Sequence, residues 1–357
     1  MTADGTFDKA KAKAFTSKAI ADLAGTVATR MCAIGDRLGL LSAIDRNGPI
    51  DAAKLAEACS IDERYAREWL QAMAAAGYLE VNRDTGRYTL PVEHRALLCD
   101  PASPLYQGGM WEMMTHAMAP FEAQIEAFRS GGGIPQSHFH PNLYEGMRRS
   151  SGLRYDNFLL SKWVPEMPDL VRMLERGVSV ADVGCGNGTA LMRLAEAFPN
   201  SHFVGFDAFP PQVEGANEQA RAHALDARVG FEVLDAAEGL PRQFDVITTF
   251  DVIHDMARPR EALRNIREHL AEGGIYVMQE ITAADSPYDN LGPQATLKYG
   301  MSIGYCMTTS LASGGEGLGT LGMPERVVID LCHEAGFGPV RKLACSNDFV
   351  SLYEIRA

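Results

Sequence analysis

The stretch Val180-Ala-Asp-Val-Gly-Cys-Gly-Asn-Gly-Thr189 carries the densest chemical signal in this 357-residue chain. An apolar run leads into a glycine turn and then into residues that suit a helix. Gly184 and Gly186 let the backbone approach a ligand closely, and a helix N-terminus supplies unpaired N–H groups beside them. The spacing of Gly184, Gly186 and Gly188 is Gly-x-Gly-x-Gly. A dinucleotide-type turn needs glycine where Thr189 stands, and no Gly-Lys-Ser/Thr follows to make a Walker A loop. Further on, Phe203-Val-Gly-Phe-Asp207 ends in a carboxylate placed to accept hydrogen bonds from both hydroxyls of a ribose. Phe231-Glu-Val-Leu-Asp-Ala236 ends the same way, with Asp235 placed to face an adenine amino group. Each acid alone reads as a surface carboxylate or a helix cap. Three acid-tipped strands in the right order are harder to read that way.

A second constellation follows Phe244-Asp-Val-Ile-Thr-Thr-Phe250, in Asp251-Val-Ile-His254-Asp255. Ligands of an open α/β sheet sit at the carboxyl ends of its strands, so His254 falls near the chemistry. An imidazole titrates near neutrality and suits a general base, with Asp255 a candidate to orient it. The competing reading has His254 packing beneath the ligand or capping the helix that begins near Pro259. His138-Phe-His140 has the spacing of two metal ligands, but no nearby Cys or carboxylate completes a set, and no metal is expected.

These groups need a scaffold of alternating strands and helices. Strands are predicted at 178–184, 202–207, 229–234, 244–250 and 274–281, and helices at 189–198, 211–226, 259–271 and 324–335. That alternation implies a mostly parallel sheet with helices on both faces. Strands 340–345 and 349–355 lie too close together for a helical crossover and should pair as an antiparallel hairpin, for seven strands in all. Upstream, Ile20, Leu23, Val27, Met31, Ile34, Leu38 and Leu41 recur at helical spacing over 14–44, with breaks possible at Gly35 and Gly39. Helices at 51–59 and 62–76, then a hairpin around Asn82–Gly86, complete the layout of a winged helix-turn-helix. Residues 96–165 look mainly helical. Met110–Met118 is rich in Met and suits an adaptable pocket wall, against the plainer reading of helix core. Residues 284–322 read as a lid or a dimer contact, with glycines 314, 315, 317 and 319 supplying flexibility.

The stretch 178–281 resembles the class I S-adenosylmethionine-dependent methyltransferases, whose first motif matches Val-Ala-Asp-Val-Gly-Cys-Gly-Asn-Gly. The whole chain is similar to a bacterial group, well represented in mycobacteria, that joins a winged-helix domain to such a catalytic domain. Members are often described as transcriptional regulators. Tyr305–Thr320 and Ile253-His-Asp255 carry that closer likeness. The resemblance implies S-adenosylmethionine as cofactor. Gly184, Cys185 and Gly186 would surround its methionine end, and Asp182 would organise the ammonium. Asp207 would hold the ribose and Asp235 with Ala236 the adenine, with Phe250 also lining the site. Plant-type O-methyltransferases carry a catalytic histidine in His-Asp/Asn-Trp at the place of His254; here Met256 replaces the Trp. The Asn/Asp-Pro-Pro-Tyr/Phe clamp of many nucleic-acid amino methyltransferases is absent.

The expected fold is therefore a Rossmann-like α/β methyltransferase domain over 166–357. A winged-helix dimerisation domain precedes it over 1–95, joined by a helical linker and substrate cap over 96–165. The expected activity is methylation, on oxygen, of a small and fairly apolar acceptor. The alternative is a DNA-binding regulator that responds to S-adenosylmethionine, for which Arg64, Arg67, Arg83 and Arg87 would face the backbone. Charge opposes it. The chain carries a net −13. Residues 1–95 balance 13 basic against 13 acidic side chains, so the excess lies entirely beyond them and no basic domain exists. Seven scattered cysteines without a CxxC pair suit reduced thiols. With no signal sequence or apolar span, a cytoplasmic homodimer is expected, with nucleic acid and membrane unlikely partners.

Overall fold

A computed structural model describes residues 7–357. They divide into two compact units: one runs to Thr115 and takes in Asn142–Ser150, the other holds His116–Pro141 and Ser151–Ala357. The helical region 96–165 is thus shared between them.

In the first unit, α1 (Lys9–Arg37) starts at Asp8, whose carboxylate accepts from the N–H groups of Ala10 and Lys11. It runs through Gly35 and stops at Gly39, where φ is +68° and the chain turns into α2 (Leu40–Asn47). Gly35 is therefore no break. A Cβ there would lie 2.5 Å from the Trp69 ring, so glycine permits the close approach of α4 (Glu63–Ala75). The Trp69 indole then donates to the Met31 carbonyl at 2.9 Å. Asp51 and Asp62 cap α3 (Ala52–Cys59) and α4. The hairpin β1 (Glu80–Asn82) and β2 (Arg87–Thr89) closes the winged helix. Along α1, Ile20, Leu23, Val27, Ile34 and Leu38 are exposed, at 61, 70, 57, 39 and 49%.

The second unit is built on a seven-stranded sheet. Its strands are β3 (Ser179–Val183), β4 (His202–Asp207), β5 (Val229–Val233), β6 (Phe244–Phe250), β7 (Leu270–Ile281), β8 (Val340–Lys342) and β9 (Val350–Arg356). Their order is β5-β4-β3-β6-β7-β9-β8. The first five are parallel, and β9 pairs antiparallel with both β7 and β8. Alternate residues serve opposite faces. Val180, Phe203, Val246 and Ile275 enter one core, while Ala181, Val204, Ile247 and Tyr276 enter the other. Burial on both faces explains the near-continuous apolar runs of these strands. Strand order reverses between β3 and β6, so the crevice at their carboxyl ends is the switch point where such sheets bind ligands.

One expectation is corrected. Residues 284–322 form the helices Gly292–Met301 and Met307–Ala312, joined by a π-helical turn at Ser302–Cys306. The glycines that follow are not flexible spacers. Glu316 N–H donates to the Ala257 carbonyl at 3.0 Å and Gly319 N–H to the His254 carbonyl at 3.1 Å. A Cβ on Gly315 would sit 2.4 Å from the Ala257 Cα. Glycine is required there because the loop presses onto the backbone beside His254. His138 lies in a 3-10 turn, and the His140 ring stacks on His116 at 4.7 Å.

Candidate active site

The turn after β3 is shaped by positive φ values at Gly184, Gly186 and Gly188. Gly184 faces Val252, which a Cβ would approach to 2.3 Å, and Gly188 faces the Phe231 ring, approached to 2.2 Å. At Gly186 the Cβ position meets nothing within 4 Å, leaving the backbone there open to a ligand. The neighbouring Cys185 side chain is enclosed, and its Sγ would touch a Cβ on Gly205 at 2.7 Å.

Asp207 closes β4 directly against this turn. One carboxylate oxygen accepts from Gly186 N–H at 2.9 Å and the other from Phe209 N–H at 2.8 Å. Burial pushes its pKa up, partly offset by those two bonds. Asp182 lies beneath the turn, accepts from the Thr248 hydroxyl at 2.7 Å, and is raised by burial to about 7. Asp235 is exposed. It caps the short turn at Ala236–Glu238 through Ala237 N–H and pairs with Arg258 at 2.8 Å. The buried Ala236 lends its carbonyl to Asn265. Phe250 packs on Tyr155, with ring centroids 5.6 Å apart.

After β6, Asp251 adopts φ +64°, a left-handed conformation uncommon outside glycine. It swings the chain into the turn Ile253–Asp255, which presents His254. His254 is buried, and its Nδ1 lies 2.6 Å from Oε2 of the fully buried Glu280 on β7. The other oxygen of Glu280 accepts from Ile253 N–H at 2.9 Å, which fixes the carboxylate. Asp255 stands 3.1 Å from Nε2, off the N–H direction, and its Oδ1 is buried without a hydrogen bond. Burial pulls the imidazole pKa down, yet Asp255 and Glu280 outweigh it and hold the ring well above its ordinary value. The helix Pro259–His269 has no side-chain cap, so the capping alternative for His254 falls away.

Residues 174–303 match the model of a methyltransferase domain, and residues 25–100 match that of an Rv2258c-like winged HTH domain. An N,N-dimethyltransferase, OxyT, from Streptomyces rimosus is 29% identical over 261 residues, 68% of this chain and 72% of its own. Among solved structures, PigF with SAH superposes with a TM-score of 0.73 at 20% identity, covering 96% of this chain and 99% of that one. The mitomycin 7-O-methyltransferase MmcR gives 0.70 at 20% identity, covering 97% and 99%. The protein is an S-adenosylmethionine-dependent methyltransferase.

Two half-buried groups of this methyltransferase were not legible from its motifs. Arg154 and Asp251 pair at 2.9 Å, and each keeps a buried atom without a hydrogen-bond partner, Nε on the arginine and Oδ1 on the aspartate. Both act electrostatically on the Tyr155 hydroxyl, as Asp182 does, so the four side chains share one neighbourhood. Together with the open backbone at Gly186, this arrangement fits the ammonium and carboxylate of a methionine moiety. Glu280 was missed as well, because a carboxylate inside an apolar strand gives no local signal. No helix of the described residues is long and apolar enough to cross a membrane.

Proposed function

We propose that this methyltransferase transfers a methyl group to an oxygen of a small, fairly apolar acceptor, with His254 as general base. The carrying observation is the buried His254–Glu280 pair, delivered by β6 and β7 to the edge of the switch-point crevice. S-adenosylmethionine supplies an electrophilic methyl on a sulfonium, which becomes a neutral thioether as the new C–O bond forms. The chain must align the acceptor, exclude water and take the hydroxyl proton. With Nδ1–H held by Glu280, the ring in its neutral form keeps the proton off Nε2 and leaves that lone pair free to accept one. Nε2 then accepts the hydroxyl proton.

In this reading Gly184, Cys185 and Gly186 bound the methionine end, and Asp182 faces the ammonium, helped by Arg154 and Asp251 at the charged head. Asp207 accepts from the ribose hydroxyls, already oriented by two backbone donors. Asp235 and Ala236 border the adenine, and Phe250 closes the floor beside Tyr155. Residues 1–95 serve as a dimerisation domain, 96–165 as linker and acceptor cap, and 166–357 as the cofactor domain. The exposed apolar stripe of α1 supports the homodimer. A cytoplasmic location fits the seven free cysteines. DNA binding is disfavoured, since Arg64 pairs with Glu68 at 2.5 Å and Arg67 with Glu63 on the same helix.

The likeness to OxyT supports a second reading, an amine acceptor. The test is formation of S-adenosylhomocysteine with a panel of phenols, polycyclic hydroxy compounds and tertiary-amine precursors. Turnover confined to amines would overturn O-methylation, and turnover confined to hydroxyls would sustain it.

A further inference from the structure

Cys306 is a nucleophilic side chain beside His254, and the proposed reaction does not use it. It ends the π-helical turn Ser302–Cys306, where the chain carries its thiol inward. Its thiol, a ring nitrogen of His254 and a carboxylate oxygen of Asp255 all lie within 4.8 Å of one another. The nitrogen is Nε2, because Nδ1 is held by Glu280 and Nε2 is the atom 3.1 Å from Asp255. A tetrahedral zinc ion with bonds of about 2.0–2.3 Å draws such donors together by only a small further movement.

Three features prepare this cluster for a thiophilic divalent cation rather than for a core contact. Glu280 on Nδ1 makes the carboxylate–histidine arrangement that orients a ring toward a metal and raises its basicity. Asp255 Oδ1 is buried without a hydrogen-bond partner, an unmet acceptor beside Nε2. Charge also balances. Two carboxylates face one imidazolium and one thiol, and Zn²⁺ replaces the imidazolium proton and the thiol proton without changing the total. A thiolate, an imidazole and a carboxylate favour zinc over magnesium or calcium.

We propose that Cys306, His254 and Asp255 form an inhibitory zinc site that withdraws His254 from catalysis. The inference rests on the reading of His254 as the base. Zinc bound at Nε2 occupies the lone pair that would take the acceptor's proton, and its fourth position is left to water. The sequence expectation of no metal came from local spacing, which cannot see a cysteine carried in from a distant helix.

The test titrates the full-length, chelator-stripped protein with Zn²⁺ and with Co²⁺. Expected are one equivalent of cobalt with a thiolate-to-cobalt charge-transfer band, and loss of methyl transfer in zinc that a chelator restores. Cys306→Ala and Cys306→Ser should keep basal turnover and lose both the band and the zinc sensitivity. Absence of the band in the wild type, or its persistence in both variants, overturns the site. If metal binds through Cys306 but turnover is untouched, the inhibitory site is overturned through its premise, and it is the base reading that has failed. The band is read without an acceptor, so the two failures are distinguishable.

Discussion

His254 Nδ1 and Glu280 Oε2 lie 2.6 Å apart in a fully buried contact between the turn after β6 and the strand β7. Glu280, rather than Asp255, holds the Nδ1 side, so the ring's orientation is set from inside the sheet. Removing the glutamate outright would strand a buried charge at about 3–5 kcal/mol, so the informative variant is Glu280→Gln. His254→Ala and His254→Gln are expected to lower turnover about 10²–10⁴-fold with cofactor affinity nearly intact. Glu280→Gln should lower kcat by less and leave affinity unchanged. Full activity in both His254 variants would remove the residue from the mechanism. A large fall in cofactor affinity would show it to be structural.

Asp207 is expected to dominate recognition of the ribose. Its oxygens are preset by Gly186 and Phe209 N–H groups, and each retains a lone pair for a hydroxyl. Asp207→Ala should cost about 2–4 kcal/mol of S-adenosylhomocysteine affinity by calorimetry, and the wild type should show no affinity for NAD. Because the alanine also frees the turn, Asp207→Asn serves as the shape-preserving control. Unchanged binding in both would displace the site.

The parallel sheet, its switch point and the three acid-tipped strands were legible because each announces itself locally, by apolar runs, glycine spacing or a terminal carboxylate. Winged-helix caps at Asp51 and Asp62 were legible for the same reason. Glu280, Arg154 and Cys306 were not. Their meaning comes from pairing across the sheet or between distant helices, and nothing in the neighbouring residues encodes it. The glycines at 315–319 were misread because composition does not separate a loop that bends freely from one that must press against another backbone.

Asp182 is expected to make cofactor affinity depend on pH. Burial raises its pKa from the ordinary carboxylate value to about 7, against the Thr248 hydrogen bond that lowers it. A raised acid favours the protonated folded state, so its contribution to the stability of the ligand-free protein is lost as pH rises toward 7. Binding has the opposite sign, because the cofactor ammonium prefers the anion. Affinity for S-adenosylhomocysteine should rise by up to about tenfold per pH unit below 7 and then level off. Asp182→Asn should bind more weakly with a flat profile. A pH-independent wild type would refute the contact.

Arg154 and Asp251 carry a prediction about the cofactor's charged head alone. Each has a buried polar atom without a partner, and an unmet buried group costs about 1–3 kcal/mol until something satisfies it. Arg154→Gln and Asp251→Asn should therefore weaken S-adenosylhomocysteine. They should leave 5′-methylthioadenosine, which lacks the amino-acid head, unaffected. Equal losses for both ligands in calorimetry would mean that the pair merely braces the fold.

The stripe Ile20, Leu23 and Val27 on α1 predicts how the chain assembles. These side chains are 57–70% exposed on a helix of 29 residues, about 44 Å long at 1.5 Å per residue. Apolar side chains exposed to this degree are costly in water, and a stable dimer needs roughly 800 Å² from each partner. A second copy of α1 is the covering expected here, since it would supply matching apolar area without requiring charge. Sedimentation of the wild type should give a dimer, and Leu23→Asp combined with Val27→Asp should give a folded monomer. Neither residue lies in the buried core of its unit, so the thermal transition should shift little while the mass halves. A dimer that survives both aspartates, or a monomeric wild type at micromolar concentration, would refute the assignment of this face.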